Sequence, residues 1–113
     1  MNFACRNFSI DEVVRCSLEL TKSEFRILEF LMKHAKRISS QEIAKTLKLE
    51  LSTVQRSMKK LSSKKIVRKS QINLSSGGYS FFYCICDKRE IKSIIKQIIQ
   101  KWYNEFDQEL NKW

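Results

Sequence analysis

The chain has 113 residues, enough for one domain, and its 42% hydrophobic residues can build a core without metals or bridges. A formal charge of +10 points to a polyanionic partner, and no apolar run approaches the length of a membrane span. The opening MNFACRNFSIDEVV lacks the charged-then-apolar layout of a secretory signal, so a soluble cytoplasmic protein is expected.

Residues 9–17, SIDEVVRCS, predict a short helix with Ser9 as N-cap and Glu12 three positions on. TKSEFRILEFLMKHAK repeats that spacing with Thr21 and Glu24, and Phe25, Leu28, Leu31, Met32 and Ala35 give it an apolar face. Ser39 and Glu42 open a third helix, whose apolar edge is Ile43, Ala44 and Leu47. In LSTVQRSMKKL, residues 51–61, Leu51, Val54, Met58 and Leu61 recur at threes and fours, and Ser52 is the expected N-cap. Its other side carries Ser52, Thr53, Gln55, Arg56, Lys59 and Lys60, none of them acidic. Two short helices joined by a tight turn, with apolar faces that can pack together, have helix-turn-helix spacing.

After Lys65 the pattern changes. IVRKSQINL and YSFFYCIC are β-prone runs separated by SSGG, and paired glycines there signal a hairpin whose turn needs positive φ. Tyr79, Phe81, Tyr83 and Ile85 share one face of the second strand. Such aromatics are expected to pack a core rather than to stack on single-stranded bases. A helix-turn-helix followed by a hairpin is a winged helix.

DKREIKSIIKQIIQKWYNEFDQELNKW closes the chain, with Asp87 and Glu90 at the cap spacing once more. Ile91, Ile94, Ile95, Ile98, Trp102, Phe106 and Leu110 line one face of a predicted helix of about 25 residues, roughly 37 Å long. Ile99, Tyr103 and Trp113 add apolar surface that one small domain cannot cover, which points to a second copy of the chain. Interleaved Glu105, Asp107 and Glu109 argue against a membrane surface. The dimer interface is expected at Ile91, Ile95, Ile98, Trp102, Phe106 and Trp113. The predicted fold class is therefore mainly α with a β-hairpin wing (α+β). A winged-helix core over 9–86 and a dimerisation helix over 87–113 make up a single domain, 1–113.

Charge is distributed unevenly. Residues 51–86 contain no acid but hold Arg56, Lys59, Lys60, Lys64, Lys65, Arg68 and Lys69. Ordinary solvated surfaces mix both signs, so this segment suggests nucleic acid. The major groove of duplex DNA admits one helix. On such a helix Ser52 and Thr53 suit phosphate or a thymine methyl, Gln55 a paired contact to adenine, and Arg56 one to guanine. Lys59 and Lys60 lie a turn further on, at phosphate positions. Arg68 and Lys69 in the first strand, with Ser75, Ser76, Gly77 and Gly78 at the wing tip, can hold flanking backbone; a plain turn without DNA contact is the alternative for the glycines.

Cys5, Cys16, Cys84 and Cys86 with a single histidine, His34, give no paired metal-ligand spacing, so neither metal nor cofactor is expected. Cys16 follows Arg15, a neighbour that favours thiolate, and admits two readings: a redox-sensing thiol or a small buried hydrophobe. No phosphate loop, nucleophile elbow or carboxylate pair with a nearby base supports an enzyme.

Three features in order carry a resemblance: Cys16 shortly before LTKSEFRILEFL, the STVQRS start of the fourth helix, and the GGY of the hairpin. Over roughly residues 12–107 the chain resembles small archaeal winged helix-turn-helix transcriptional regulators, TrmB-like and, more distantly, MarR-like. The resemblance implies sequence-specific binding of double-stranded DNA by a homodimer, with helix 52–62 in the major groove and wing 73–79 on flanking backbone. Recognition helices about 34 Å apart would meet successive major grooves. The family's usual glycine after the recognition helix is replaced by the SSKKI run, which leaves that helix end unspecified. The alternative function is a winged-helix protein-interaction module of a larger nucleic-acid assembly without sequence specificity; RNA binding is a third class.

Overall fold

The computed structural model describes residues 1–3, 6–34 and 36–113. Ala35, assigned above to an apolar helix face, and Cys5 lie outside the described residues. In chain order the elements are β1 (Asn2–Phe3), β2 (Arg6–Asn7), α1 (Ile10–Ser17), α2 (Lys22–Lys33), α3 (Ser40–Leu47), α4 (Leu51–Ser63), β3 (Val67–Asn73), β4 (Tyr79–Ile85) and α5 (Lys88–Lys112). Packing divides the chain into two units, residues 23–87 and residues 1–22 joined with 88–113. The division falls between Asp87 and Lys88, one residue beyond the expected boundary, and the first 22 residues go with the last helix rather than with the central unit.

Within the discontinuous unit, β1 and β2 pair antiparallel, a short hairpin that no turn signal announces. Ser9 caps α1 as predicted: its backbone is extended and its Oγ accepts the Glu12 N–H at 3.1 Å. α1 packs on α5, and Leu18, Leu20 and Ile91 are buried. α5 runs for 25 residues.

The central unit is built on three inward helix faces. Ile27, Leu28 and Leu31 of α2, Ile43 of α3, and Val54, Met58 and Leu61 of α4 are all buried, together with Ile66, Val67 and Tyr83. The stripe on α2 is centred one position away from the expected one. Ile27 lies inside, Phe25 is half-buried and Met32 is exposed. β3 and β4 form an antiparallel ladder from Val67↔Ile85 to Asn73↔Tyr79. Ile38 extends it by one bridge, exchanging backbone hydrogen bonds of 3.0 and 2.8 Å with Tyr83. Ser39 then caps α3, accepting the Glu42 N–H at 3.2 Å, while its own hydroxyl donates to Glu42 Oε1 at 3.3 Å.

Three helices end on left-handed residues that are not glycine: Glu19 (φ 56°), Lys48 (φ 54°) and Lys65 (φ 64°). At the end of α4 the Ile66 N–H donates to Leu61 O at 3.0 Å and the Lys65 N–H to Ser62 O at 3.0 Å. This is the double closure of a Schellman motif, with Lys65 where glycine is preferred. The SSKKI run thus ends the helix in a left-handed closure without a glycine. A left-handed L-residue costs about 1–2 kcal/mol, part of which glycine would return through its freer unfolded chain. Lys65→Gly is expected to stabilise the protein by about 0.5–1 kcal/mol, read as a higher urea midpoint. Lys64→Gly, at φ −86°, should destabilise it. Equal effects at the two positions would count against this account of the helix end.

Candidate nucleic-acid interface

α4 starts one residue before the expected cap. Glu50 occupies the N-cap position without a side-chain bond, Leu51 is exposed, and Ser52 lies inside the first turn. From there the helix is two-faced. Val54, Ser57, Met58 and Leu61 are buried. Ser52, Gln55, Arg56 and Lys59 are exposed and recur at threes and fours, so they form one outward stripe. Thr53 is half-buried, and its carbonyl accepts the Ser57 hydroxyl at 2.9 Å.

Lys60 behaves differently from its neighbour Lys59. Its ammonium pairs with Glu24 Oε1 of α2 at 3.0 Å, with the lysine side chain one-third exposed and the glutamate side chain less so. The phosphate position expected of Lys60 is therefore taken by an internal ion pair that ties α4 to α2. Screening by solvent keeps such a pair to a modest contribution. A second tether runs from α2 to α3, where the Arg26 guanidinium donates to Leu47 O at 3.2 Å. The two contacts tie α2 to α4, which presents the outward stripe, and to α3, which precedes it. Neither was legible, because each joins residues more than 20 positions apart.

On the wing, Arg68 and Lys69 are successive residues of β3 and point to opposite faces. Lys69 Nζ lies 3.9 Å from the centroid of the Phe81 ring. At the tip, Ser75, Ser76, Gly77 and Gly78 are exposed. The Leu74 N–H donates to Gly78 O at 3.0 Å and the Gly77 N–H to Leu74 O at 3.1 Å, closing the turn. Gly77 and Gly78 have φ of 94° and 80°, yet a Cβ at either would meet nothing within 4 Å. Glycine is required there by backbone conformation and not by crowding.

The aromatic face of β4 departs from expectation. Tyr83 is buried, but Tyr79 is 60% and Phe81 37% exposed, so only the base of the hairpin packs the core. A ladder this long carries its far end beyond the helices that could cover it.

α5 also divides along its length. Ile91 is buried by the chain itself, and Ile95 and Ile98 are half-buried, so these three assigned interface residues are wholly or partly used in the monomer. Trp102, Phe106 and Trp113 are exposed, and so are Ile99, Tyr103 and Leu110. The uncovered seam thus runs 99–103–106–110–113 at alternating fours and threes, with Trp102 beside it. Cys16 is exposed on α1, which removes the reading of a small buried hydrophobe. Cys86 is buried, with its Sγ 3.3 Å from Lys65 O, and His34 is exposed with its ring stacked on Phe30. Among the described residues, no three His, Cys, Asp or Glu side chains are placed to hold a metal ion. No described helix is long and apolar enough to cross a membrane.

Comparison with known proteins agrees with this geometry. Residues 20–68, from just before α2 into β3, match the family model for winged helix-turn-helix DNA-binding domains. A solved structure described as a possible transcriptional regulator from Methanosarcina mazei Go1 is 40% identical, with a TM-score of 0.92 over 100% of this chain and 95% of that one. The uncharacterized Methanocaldococcus jannaschii protein MJ1503 is 27% identical over 96% of this chain and 79% of its own length. The Escherichia coli MarR C80S mutant, solved with operator DNA, shares the fold at 22% identity, with a TM-score of 0.51 over 90% of this chain and 71% of that one. The α2–α3–α4 arrangement, the β3–β4 wing and the extent of the Methanosarcina match together establish that the chain belongs to the winged helix-turn-helix DNA-binding family, alongside small archaeal transcriptional regulators.

Proposed function

We propose that this winged helix binds double-stranded DNA in a sequence-specific manner, as a homodimer, and regulates transcription from the sites it occupies. The observation that carries this reading is the outward stripe of α4. Gln55 and Arg56 stand exposed beside Ser52 and Lys59, in a segment with no acidic residue from 51 to 86. An amide and a guanidinium at adjacent positions on a groove-sized helix suit paired contacts to adenine and guanine. The MarR mutant that shares this fold was solved on operator DNA, which supports the same partner here. The exposed tip residues Ser75 to Gly78, and Lys59, supply positions for backbone phosphates.

The homodimer rests on α5, whose last three turns have no covered residue. Residues 101–113 are all exposed, although Trp102, Tyr103, Phe106, Leu110 and Trp113 recur at helical spacing. Isolated helical turns are marginal without tertiary packing, so a second copy of the same seam is the natural cover. The charge along α5 also has a direction. Residues 88–101 hold Lys88, Arg89, Lys92, Lys96 and Lys101 against Glu90, whereas 102–113 hold Glu105, Asp107 and Glu109 against Lys112. An antiparallel pair of α5 helices sets the basic half of each on the acidic half of the other.

The test is Arg56→Ala, measured by fluorescence anisotropy on an operator obtained by selection from genomic fragments. Specific affinity should fall by about 1–3 kcal/mol, with a much smaller loss on random duplex. Equal loss on both would make Arg56 a phosphate contact. If no discrete site survives competitor DNA, the protein-interaction reading, also favoured by the open α5 seam, takes over.

A further inference from the structure

The outer half of the wing carries an exposed aromatic face on its strands. Cross-strand partners share a face, and the register sets Asn73 opposite Tyr79, Gln71 opposite Phe81 and Lys69 opposite Tyr83. Of these six, only Tyr83 is buried; Lys69, Gln71, Asn73, Tyr79 and Phe81 are all exposed. The Tyr79 and Phe81 rings meet edge to face, with centroids 5.2 Å apart and planes at 65°. The Lys69 ammonium lies over the Phe81 ring, as a diagonal neighbour on the ladder should. The result is a strip of one open ring, a second ring capped by a cation, and two primary amides, with no carboxylate anywhere in 51–86.

Rings alone would suit any apolar partner. The amides and the acid-free surroundings select a polyanion with hydrogen-bonding edges. In a duplex the base faces are already stacked on one another, and the grooves offer only base edges, sugars and phosphates. An exposed ring face finds its complement in an unpaired base. We propose that this face of the wing binds single-stranded DNA. Bases stack on Tyr79 and Phe81, the Gln71 and Asn73 amides bond to base edges, and Lys69 leaves the Phe81 ring for a phosphate. The site lies along the strands; Lys69, Asn73 and Tyr79 also belong to the wing expected on duplex backbone, whereas Gln71 and Phe81 lie outside it.

The experiment measures anisotropy of a labelled oligo-dT of about 12 nucleotides, inside the range one such platform covers, with the full chain and with Tyr79→Ala/Phe81→Ala. Both rings are exposed and outside the core, so the double variant should keep the parent's melting temperature. Its affinity for oligo-dT is expected to drop by roughly tenfold or more, since each stacked base is worth a factor of about 5 to 150. Tyr79→Phe, which keeps the ring, should bind as the parent does, and duplex affinity of Phe81→Ala alone, outside wing residues 73–79, should change by less than about twofold. Several outcomes overturn the proposal. Parent binding to oligo-dT no tighter than to inorganic polyphosphate of equal charge reduces the strip to its cation. Unchanged single-strand affinity of the double variant removes the rings from the site, and equal loss of single strand and duplex in Phe81→Ala makes the face a duplex contact. Tighter binding of oligo-rU than oligo-dT would make RNA the partner and end the assignment to DNA.

Discussion

Trp102→Ala/Phe106→Ala is expected to turn a dimer into monomers at micromolar concentration. Both side chains are exposed in the single chain, Trp102 at 42% and Phe106 at 63%, so truncating them removes only the partial cover each has within the fold. Alanine adds no charge and keeps helix propensity. Large aromatics at the centre of an interface are its usual anchors and cost about 2 kcal/mol or more each when truncated. The change removes four of them, two from each copy, so the loss is at least about 4 kcal/mol, or roughly a thousandfold or more in the dimer dissociation constant. Light scattering should move from twice the chain mass to 13.5 kDa, and helical circular dichroism should fall as the uncovered end of α5 frays. An unchanged mass would remove α5 from the interface. The same measurement reads the direction of pairing. In an antiparallel dimer the basic half of α5 meets the acidic half, so added salt weakens association. In a parallel one, like halves meet and added salt strengthens it.

The sequence announced elements whose signals are local. Ser9 with Glu12 and Ser39 with Glu42 mark two helix starts, because a capping hydroxyl reaches only three residues ahead. Gly77 and Gly78 mark the wing turn, because positive φ there admits little else. The outward stripe of α4 was legible for the same reason: helical period separates Gln55 and Arg56 from Val54 and Met58 whatever the rest of the chain does. Helix ends were not legible. Glu19, Lys48 and Lys65 adopt the left-handed conformation in a chain that spends both its glycines on the wing, so tertiary structure imposes what local preference resists. Long-range choices were hidden too. Nothing near Lys60 says that it will find Glu24 and not a phosphate. Nothing in the alternation of β4 says that the helices cover Tyr83 and leave Tyr79 and Phe81 bare. On α5, periodicity named a stripe but could not say which part of it the chain would cover for itself. Ile91 went inside, and the open seam came to include Ile99, Tyr103 and Leu110.

Leu61→Ala should lower unfolding free energy by about 2–5 kcal/mol. Leu61 is 0% exposed, on the inward face of α4 with Val54 and Met58, and α4 packs on both α3 and β3. Its carbonyl also accepts the Ile66 N–H in the motif that ends the helix, so the residue stands where the recognition helix turns into the wing. Truncation leaves a void that a close-packed core refills only in part. A small domain is stable by only about 5–15 kcal/mol, so the loss is a large share of the total. It should appear as a lower urea midpoint at unchanged slope. DNA binding separates this variant from Arg56→Ala. Leu61 reaches nothing outside the protein, so at low temperature the folded fraction of Leu61→Ala should bind its operator with near-parental affinity. Affinity should then fall as temperature rises through the lowered melting point. Arg56→Ala should show the reverse, a parental melting temperature with weakened binding at every temperature. If Leu61→Ala instead binds poorly while fully folded, α4 is held in its binding posture by the core residue itself, and the division of this helix into a face that supports and a face that reads does not hold.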